Sequence, residues 1–181
     1  TVLALIALLM GRNNGLSLPD GERLVKEIAR LPELARKVLE GHEKIQEIAK
    51  KYADTTGAFY LGRKFQYPVA YEGAIKLKEI SYIHAEAYGA GEMKHGPIAL
   101  IEPAFLSVVL APEDSMYEKS KSNMQEIRAR GGRILAITTE GKEEDLRGLA
   151  DDVLSVPKTD EFFLPILTTI PLQLFAYYVA L

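Results

Sequence analysis

The 181-residue chain has no cysteine and no tryptophan, and only three histidines, His42, His84 and His95. Without cysteine there are no disulfides, no thiol nucleophile and no thiolate metal site. No two histidines lie close together in sequence, so a histidine-based zinc centre is not expected, and no residue pattern calls for a metal or another cofactor. A long apolar run is also missing. The opening stretch Thr1–Met10 has nine apolar residues, about half of the ~20 that cross a bilayer. No basic segment precedes it and no small-residue cleavage motif follows, so neither a membrane span nor a signal peptide fits. It reads as a core helix entered part-way along. The last ten residues, Leu172–Leu181, stop in mid-pattern without a cap, so both termini look cut and the chain reads as a piece of a longer polypeptide. Positive charge is not in excess either. A net charge of −3 argues against a nucleic-acid partner, which usually selects a basic surface. Neither low-complexity segments nor repeats of 20 to 50 residues occur.

What is present is the material of a globular domain, with 48% apolar and 26% charged residues, enough to offset the ordering entropy of a core. Ser17 and Pro19 with Asp20 and Glu22 mark a helix start. From there to Ala53 apolar residues recur at steps of three and four (Leu24, Ile28, Leu31, Leu34, Val38, Ile45, Ile48), which predicts three short amphipathic helices broken at Pro32 and Gly41.

After Ala53 the rhythm changes. Ala58–Leu61, Leu106–Ala111, Arg133–Thr138 and Asp152–Val156 are short apolar runs closed by Gly, Pro or turn residues. They read as strands buried on both faces, with His84–Tyr88 as a possible fifth. Helical stretches lie between them, at about Tyr67–Ser81, Glu113–Arg130 and Phe163–Leu181. Alternating strands and helices predict an α/β fold with a parallel sheet flanked by helices. Ligands of such a sheet bind beyond its carboxyl edge. The loop after the first strand, Gly62–Pro68, carries neither a dinucleotide fingerprint nor a phosphate-binding Gly-Lys-Ser/Thr. Its Arg63 and Lys64 face an anion or are plain exposed cations, and Thr138-Thr139 reads as a simple turn.

Two segments hold residues suited to chemistry. On the predicted helix, Ala70, Ala74, Leu77 and Ser81 form a small apolar stripe for lying on a sheet, while Glu72, Lys76 and Glu79 share another face. By spacing alone that second stripe is a surface ion-pair ladder or an acid–base site. The other segment, Tyr88–Pro97, is a glycine-shaped loop presenting His95 off any apolar face, either as an acid/base group near neutral pH or as a bystander. His84, between Ile83 and Ala85, reads as packed or hydrogen-bonded, and His42 as exposed.

The run from Lys78 to Pro97, Lys-Glu-Ile-Ser-Tyr-Ile-His-Ala-Glu-Ala-Tyr-Gly-Ala-Gly-Glu-Met-Lys-His-Gly-Pro, resembles the isomerase part of the glucosamine-6-phosphate synthase family, the glutamine:fructose-6-phosphate amidotransferases. Leu61-Gly-Arg, Gln66-Tyr-Pro, Glu72-Gly-Ala and Lys76-Leu-Lys-Glu79 extend the likeness upstream. Lys121-Ser-Asn, Arg128–Gly132, Pro171-Leu-Gln-Leu and Ala176-Tyr extend it downstream. The resemblance implies a sugar-isomerase (SIS) domain, a flavodoxin-like αβα sandwich on a five-stranded parallel sheet. Residues 54–181 would be the second domain of the family's pair, and residues 1–53 a helical segment joining it to an absent first one. It also implies a cytoplasmic enzyme that makes glucosamine-6-phosphate from fructose-6-phosphate without a cofactor. Glu79 would move a proton between C1 and C2, Lys76 would be its catalytic partner, and His95 would assist ring opening from the neighbouring subunit of a homodimer. The glutaminase domain's N-terminal cysteine, the sugar-phosphate loop of the first SIS domain and the lysine-bearing C-terminal tail of the family are not in this chain. Isolated from them, it is expected not to turn over. The other functions compatible with the fold are a non-catalytic phosphosugar sensor and a related deglycase or deaminase. Glu79, Lys76 and His95 disfavour a sensor, because binding alone needs no base beside C1.

Overall fold

The computed structural model describes residues 2–181. Three helices open the chain, α1 (Val2–Asn13), α2 (Leu18–Glu40) and α3 (His42–Tyr52). The αβ part follows as β1 (Gly57–Gly62), α4 (Gln66–Ser81), β2 (Ala85–Gly89), two 3₁₀ turns (Glu92–His95 and Pro97–Leu100), β3 (Phe105–Leu110), α5 (Tyr117–Arg128), β4 (Arg133–Thr139), β5 (Asp152–Val156) and α6 (Leu164–Val179). All strand pairs are parallel, in the order β2-β1-β3-β4-β5. The expected five-stranded α/β sandwich is the fold found.

Alternation across the pleat divides the interior into two layers. Ala58, Tyr60, Leu106, Val108, Leu110, Leu135 and Ile137 pack with α3, α4 and α6 on one face of the sheet. Phe59, Leu61, Val109, Ile134 and Ala136 pack with α5 and with Met93 and Ile101 of the β2–β3 crossover on the other. With both faces covered, β1 is buried throughout and β3 and β4 nearly so. This burial explains why continuous apolar runs, rather than alternating ones, marked these strands.

The helical segment departs from expectation in two ways. Helix α2 runs through Pro32 without a break, giving two helices between residues 18 and 52 instead of three. Proline forfeits one main-chain hydrogen bond, but Leu31, Leu34 and Val38 on either side of it are buried against Phe163, Leu164 and Leu167 at the start of α6. That packing holds the two halves of α2 in line. Helix α1 forms as expected but is not a core element: none of its residues is buried, and Leu3, Leu5, Ile6, Leu9 and Met10 lie open. The start of α2 does match the rule: the Ser17 hydroxyl accepts the Asp20 N–H at 3.2 Å.

Candidate active site

Helix α4 carries two of the three residues singled out by sequence, and its position is set by glycines. At Gly62 a β-carbon would fall 2.2 Å from the Gln66 carbonyl oxygen, so only glycine permits the tight turn from β1 into α4. At Gly73 a β-carbon would lie 2.7 Å from the Tyr60 ring and 2.8 Å from Leu172, which shows how closely α4 is seated on the sheet and on α6. Val69, Ala70, Gly73, Ala74 and Leu77 form its buried side. The start of the helix is held by a pair that sequence did not suggest: the buried Thr168 hydroxyl of α6 donates to the buried Gln66 amide oxygen at 2.8 Å.

On the opposite side of α4 the Lys76 ammonium donates to the Glu79 carboxylate at 2.7 Å. This hydrogen bond holds the Lys76 pKa above the ordinary lysine value. Glu72 does not join them, since its carboxylate accepts from the Gln173 side chain of α6 at 3.1 Å. The three-residue stripe therefore splits into a pair and a helix–helix contact. Glu79 does not point into a crevice, as a catalytic base of this domain alone would. Its side chain is 56% exposed and that of Lys76 35%. A hollow of about 250 Å³ one turn away, between α4 and the edge strand β2, is lined by Tyr71, Ile75, Lys78 and Glu86 among others, but not by Lys76 or Glu79. Beyond them the helix ends at Tyr82, in a left-handed conformation (φ 61°) and 90% exposed.

His95 ends the 3₁₀ turn Glu92–His95, which leaves the carboxyl end of β2, and its side chain is exposed. The next residue, Gly96, has φ 149°, so the chain reverses there in a way few other residues allow. The two candidate groups thus belong to opposite faces of the sheet: α4 packs in one layer, and the His95 turn, through Met93, in the other. Helix α4 starts at the carboxyl edge and runs back, and Glu79 lies 13 positions along it, roughly 20 Å at 1.5 Å per residue. The domain brings Lys76 and Glu79 together and keeps His95 away from both.

The other sequence candidates resolve as follows. Arg63 is not free, because its guanidinium makes two bonds to the Asn123 side-chain oxygen, at 3.1 and 2.9 Å, and with Lys64 it lines a hollow of about 290 Å³ beside Gly62 and Gly89, at the ends of β1 and β2. Lys64, with φ 52°, bonds to Ser115 and the Glu161 carboxylate. That hydrogen bond from Lys64 is the main reason Glu161 titrates below the ordinary carboxylate range. Thr138 and Thr139 are buried braces, not a plain turn: Thr138 donates to the Ala111 carbonyl at 2.8 Å and Thr139 accepts the Glu113 N–H at 2.9 Å. His84 is not packed but exposed, 3.5 Å from Glu86. The Glu86 carboxylate accepts the Tyr88 hydroxyl and pushes the Tyr88 pKa up to about 12. His42, as expected, is exposed, with its ring 2.9 Å from the Tyr178 hydroxyl. Among the described residues no three His, Cys, Asp or Glu side chains are grouped to hold a metal ion, and no helix is long and apolar enough to cross a membrane.

Comparison with known proteins places this architecture. A glutamine–fructose-6-phosphate aminotransferase (isomerizing) of Thermus thermophilus is 53% identical over 179 residues, covering 98% of this chain and 30% of its own length. The Aquifex aeolicus protein of the same name is 48% identical over 161 residues, 89% of this chain and 27% of its own. The chain therefore spans under a third of the length of these curated relatives. Among solved structures, the C-terminal domain of glucosamine-fructose-6-phosphate aminotransferase from Francisella tularensis superposes with a TM-score of 0.93 at 38% identity, over 98% of this chain and 50% of that one. A glucosamine-6-phosphate deaminase of Thermotoga maritima does so with a TM-score of 0.66 at 25% identity, again over 98% and 50%. Residues 39–181, from the end of α2 onward, match the family model of the SIS domain. On that match and the five-stranded parallel sheet it spans, the chain belongs to the SIS-domain family.

Proposed function

We propose that this chain is the second SIS domain in the isomerase half of a cytoplasmic glutamine–fructose-6-phosphate aminotransferase, which converts fructose-6-phosphate to glucosamine-6-phosphate. The observation that carries this reading is the Lys76–Glu79 pair, 2.7 Å apart on a face of α4 that its own domain leaves open. A carboxylate beside a protonated lysine is suited to moving a proton without a metal or a redox group. Once ammonia from a glutaminase domain has added to the C2 carbonyl of the ketose and water has left, Glu79 takes the proton from C1 of the imine. The electron pair of that bond forms the C1–C2 double bond as the imine nitrogen accepts a proton. Glu79 then returns its proton to C2 while O1 gives up its own, leaving an aldehyde at C1 and an amine at C2. Lys76 holds the Glu79 carboxylate in place through the hydrogen bond between them, and His95 exchanges the proton that opens the sugar ring.

Bulk water on Glu79 works against such transfer, because a hydrated carboxylate is a weak base and reactive intermediates leak to solvent. The site is therefore completed by a second body over the α4 face. The first SIS domain of the parent chain supports the phosphosugar, and a second subunit of a homodimer contributes its own His95, since the His95 of the same domain is on a turn packed against the other face of the sheet. In the full-length protein, Glu79→Gln lowers kcat by about 10²- to 10⁴-fold, the range of general acid–base catalysis, with phosphosugar affinity retained. Unchanged turnover in that variant removes Glu79 from the mechanism. Conversion of fructose-6-phosphate by the 181-residue chain alone shows that no second body is required.

A further inference from the structure

The exposed His95 follows a stretch of the turn that is anchored at three points. Met93, two residues earlier, is fully buried in the layer under α5. The Ala90 N–H bonds the Gly62 carbonyl at 2.9 Å, tying the start of the turn to the end of β1. Lys94 bonds the Glu126 carboxylate of α5 at 2.7 Å. The other oxygen of Glu126 accepts the Asn123 amide at 3.3 Å, and Asn123, only 2% exposed, receives the Arg63 guanidinium through its oxygen. The guanidinium in turn passes within ordinary contact of where a Gly91 side chain would begin. These bonds close a circuit from the β1–α4 loop through α5 to Lys94, the neighbour of His95.

Isolated surface ion pairs contribute little. This one ends on a buried amide that itself holds a bidentate arginine, so the Glu126 carboxylate is fixed before Lys94 reaches it. A turn whose φ is 149° at Gly96 and whose side chains are mostly outward has few other restraints on that side. We infer that Glu126 and Asn123 are positioning residues for His95. Acting through Lys94, they hold the Glu92–Gly96 turn so that the imidazole is presented outward in one place, ready for a site that another body completes. The catalytic consequence rests on the function proposed above. The ordering of the turn does not.

Two measurements separate the two. In the 181-residue chain, Glu126→Ala speeds amide hydrogen exchange at Met93, Lys94 and His95 by about fivefold, the scale of one modest pair, while β1 and β3 amides are unchanged. Glu118→Ala, which removes a largely exposed carboxylate from the same helix, leaves the turn as it was. Should Glu126→Ala not fold, Lys94→Met reads the same contact from its exposed end. In the full-length protein, Glu126→Ala lowers kcat about tenfold with KM for the ketose phosphate unchanged, as for a slightly misplaced group. Glu126→Gln, which keeps one acceptor oxygen but turns an NH2 toward the other donor, recovers activity only in part. Unaltered exchange at the turn in a folded variant overturns the inference, and so does faster exchange with kcat untouched. If the parent protein catalyses no such conversion, the proposed function falls, and the exchange rates alone still decide whether Glu126 orders the turn.

Discussion

The two edges of the sheet are built differently. At the carboxyl edge, polar side chains from separate loops are joined across the strand ends: Arg63 to Asn123, Lys64 to Ser115 and Glu161, and Lys142 and Lys158 to Glu113. Cations that the fold places where ligands usually bind are met by acceptors of the chain itself. Toward the amino edge the outer face of α4 carries the Lys76–Glu79 pair in the open. One edge satisfies itself, and the other leaves an ion pair open to solvent. In an α/β sheet the crevice beyond the strand ends is the default place to look for chemistry. Here the residues of that crevice hold structure together, and the candidate base is on the back of a helix.

Changes at each edge sharpen this contrast. The largest effect on stability is expected under α4, where Gly73→Ala drives a methyl into the Tyr60 ring and Leu172. Overpacking outweighs the helix preference gained, and a net loss of about 1–2 kcal/mol follows, read as a lower urea midpoint with unchanged slope. A midpoint at or above that of the parent chain shows that α4 is not seated as tightly as described. A smaller, pH-dependent effect belongs to the carboxyl edge. Because Lys64 holds the Glu161 pKa below its unfolded value, the pair adds stability above the ordinary carboxylate pKa, near 4.3. That stability is lost as the pH falls through the lowered folded value. Glu161→Gln costs under about 1 kcal/mol at pH 7 and flattens this part of the acid limb, so an acid limb identical to that of the parent chain dissolves the latch. The smallest effect is at the open pair. Lys76→Met leaves the urea midpoint of the chain where it was, because both side chains are already solvated. A marked fall in the midpoint makes the pair a structural support instead of a free one.

How much of this was legible in advance follows from what each feature depends on. The four apolar runs located β1, β3, β4 and β5 to within a residue or two, and the shorter His84–Tyr88 run located β2. A strand covered on both faces must be apolar throughout, so the pattern survives in any such sheet. The glycines before and after His95 announced a shaped loop for equally local reasons. Pro32 misled because its local cost is real but is outweighed by Leu31, Leu34 and Val38 packing on α6, residues more than 120 positions away. The apolar opening of α1 misled in the opposite sense: its composition matches a buried helix such as α6, but among the described residues it is only partly covered, at Ala4 and Leu8, and its other apolar side chains lie open. The pairing of Arg63 with Asn123, and of Gln66 with Thr168, had no sequence signal, since neither residue of each pair is distinctive until the chain brings them together.

Local order, then, was decided by the amino acids themselves: which stretches extend or coil, which face of α4 is apolar, and that Lys76 and Glu79 meet one turn apart, because backbone geometry relates residues three and four positions away without reference to the rest of the molecule. The separation of Glu79 from His95 was decided only by the tertiary structure. The crossover before β2 packs on one face of the sheet and the crossover after it on the other, so residues 16 apart in sequence end in different layers of the domain.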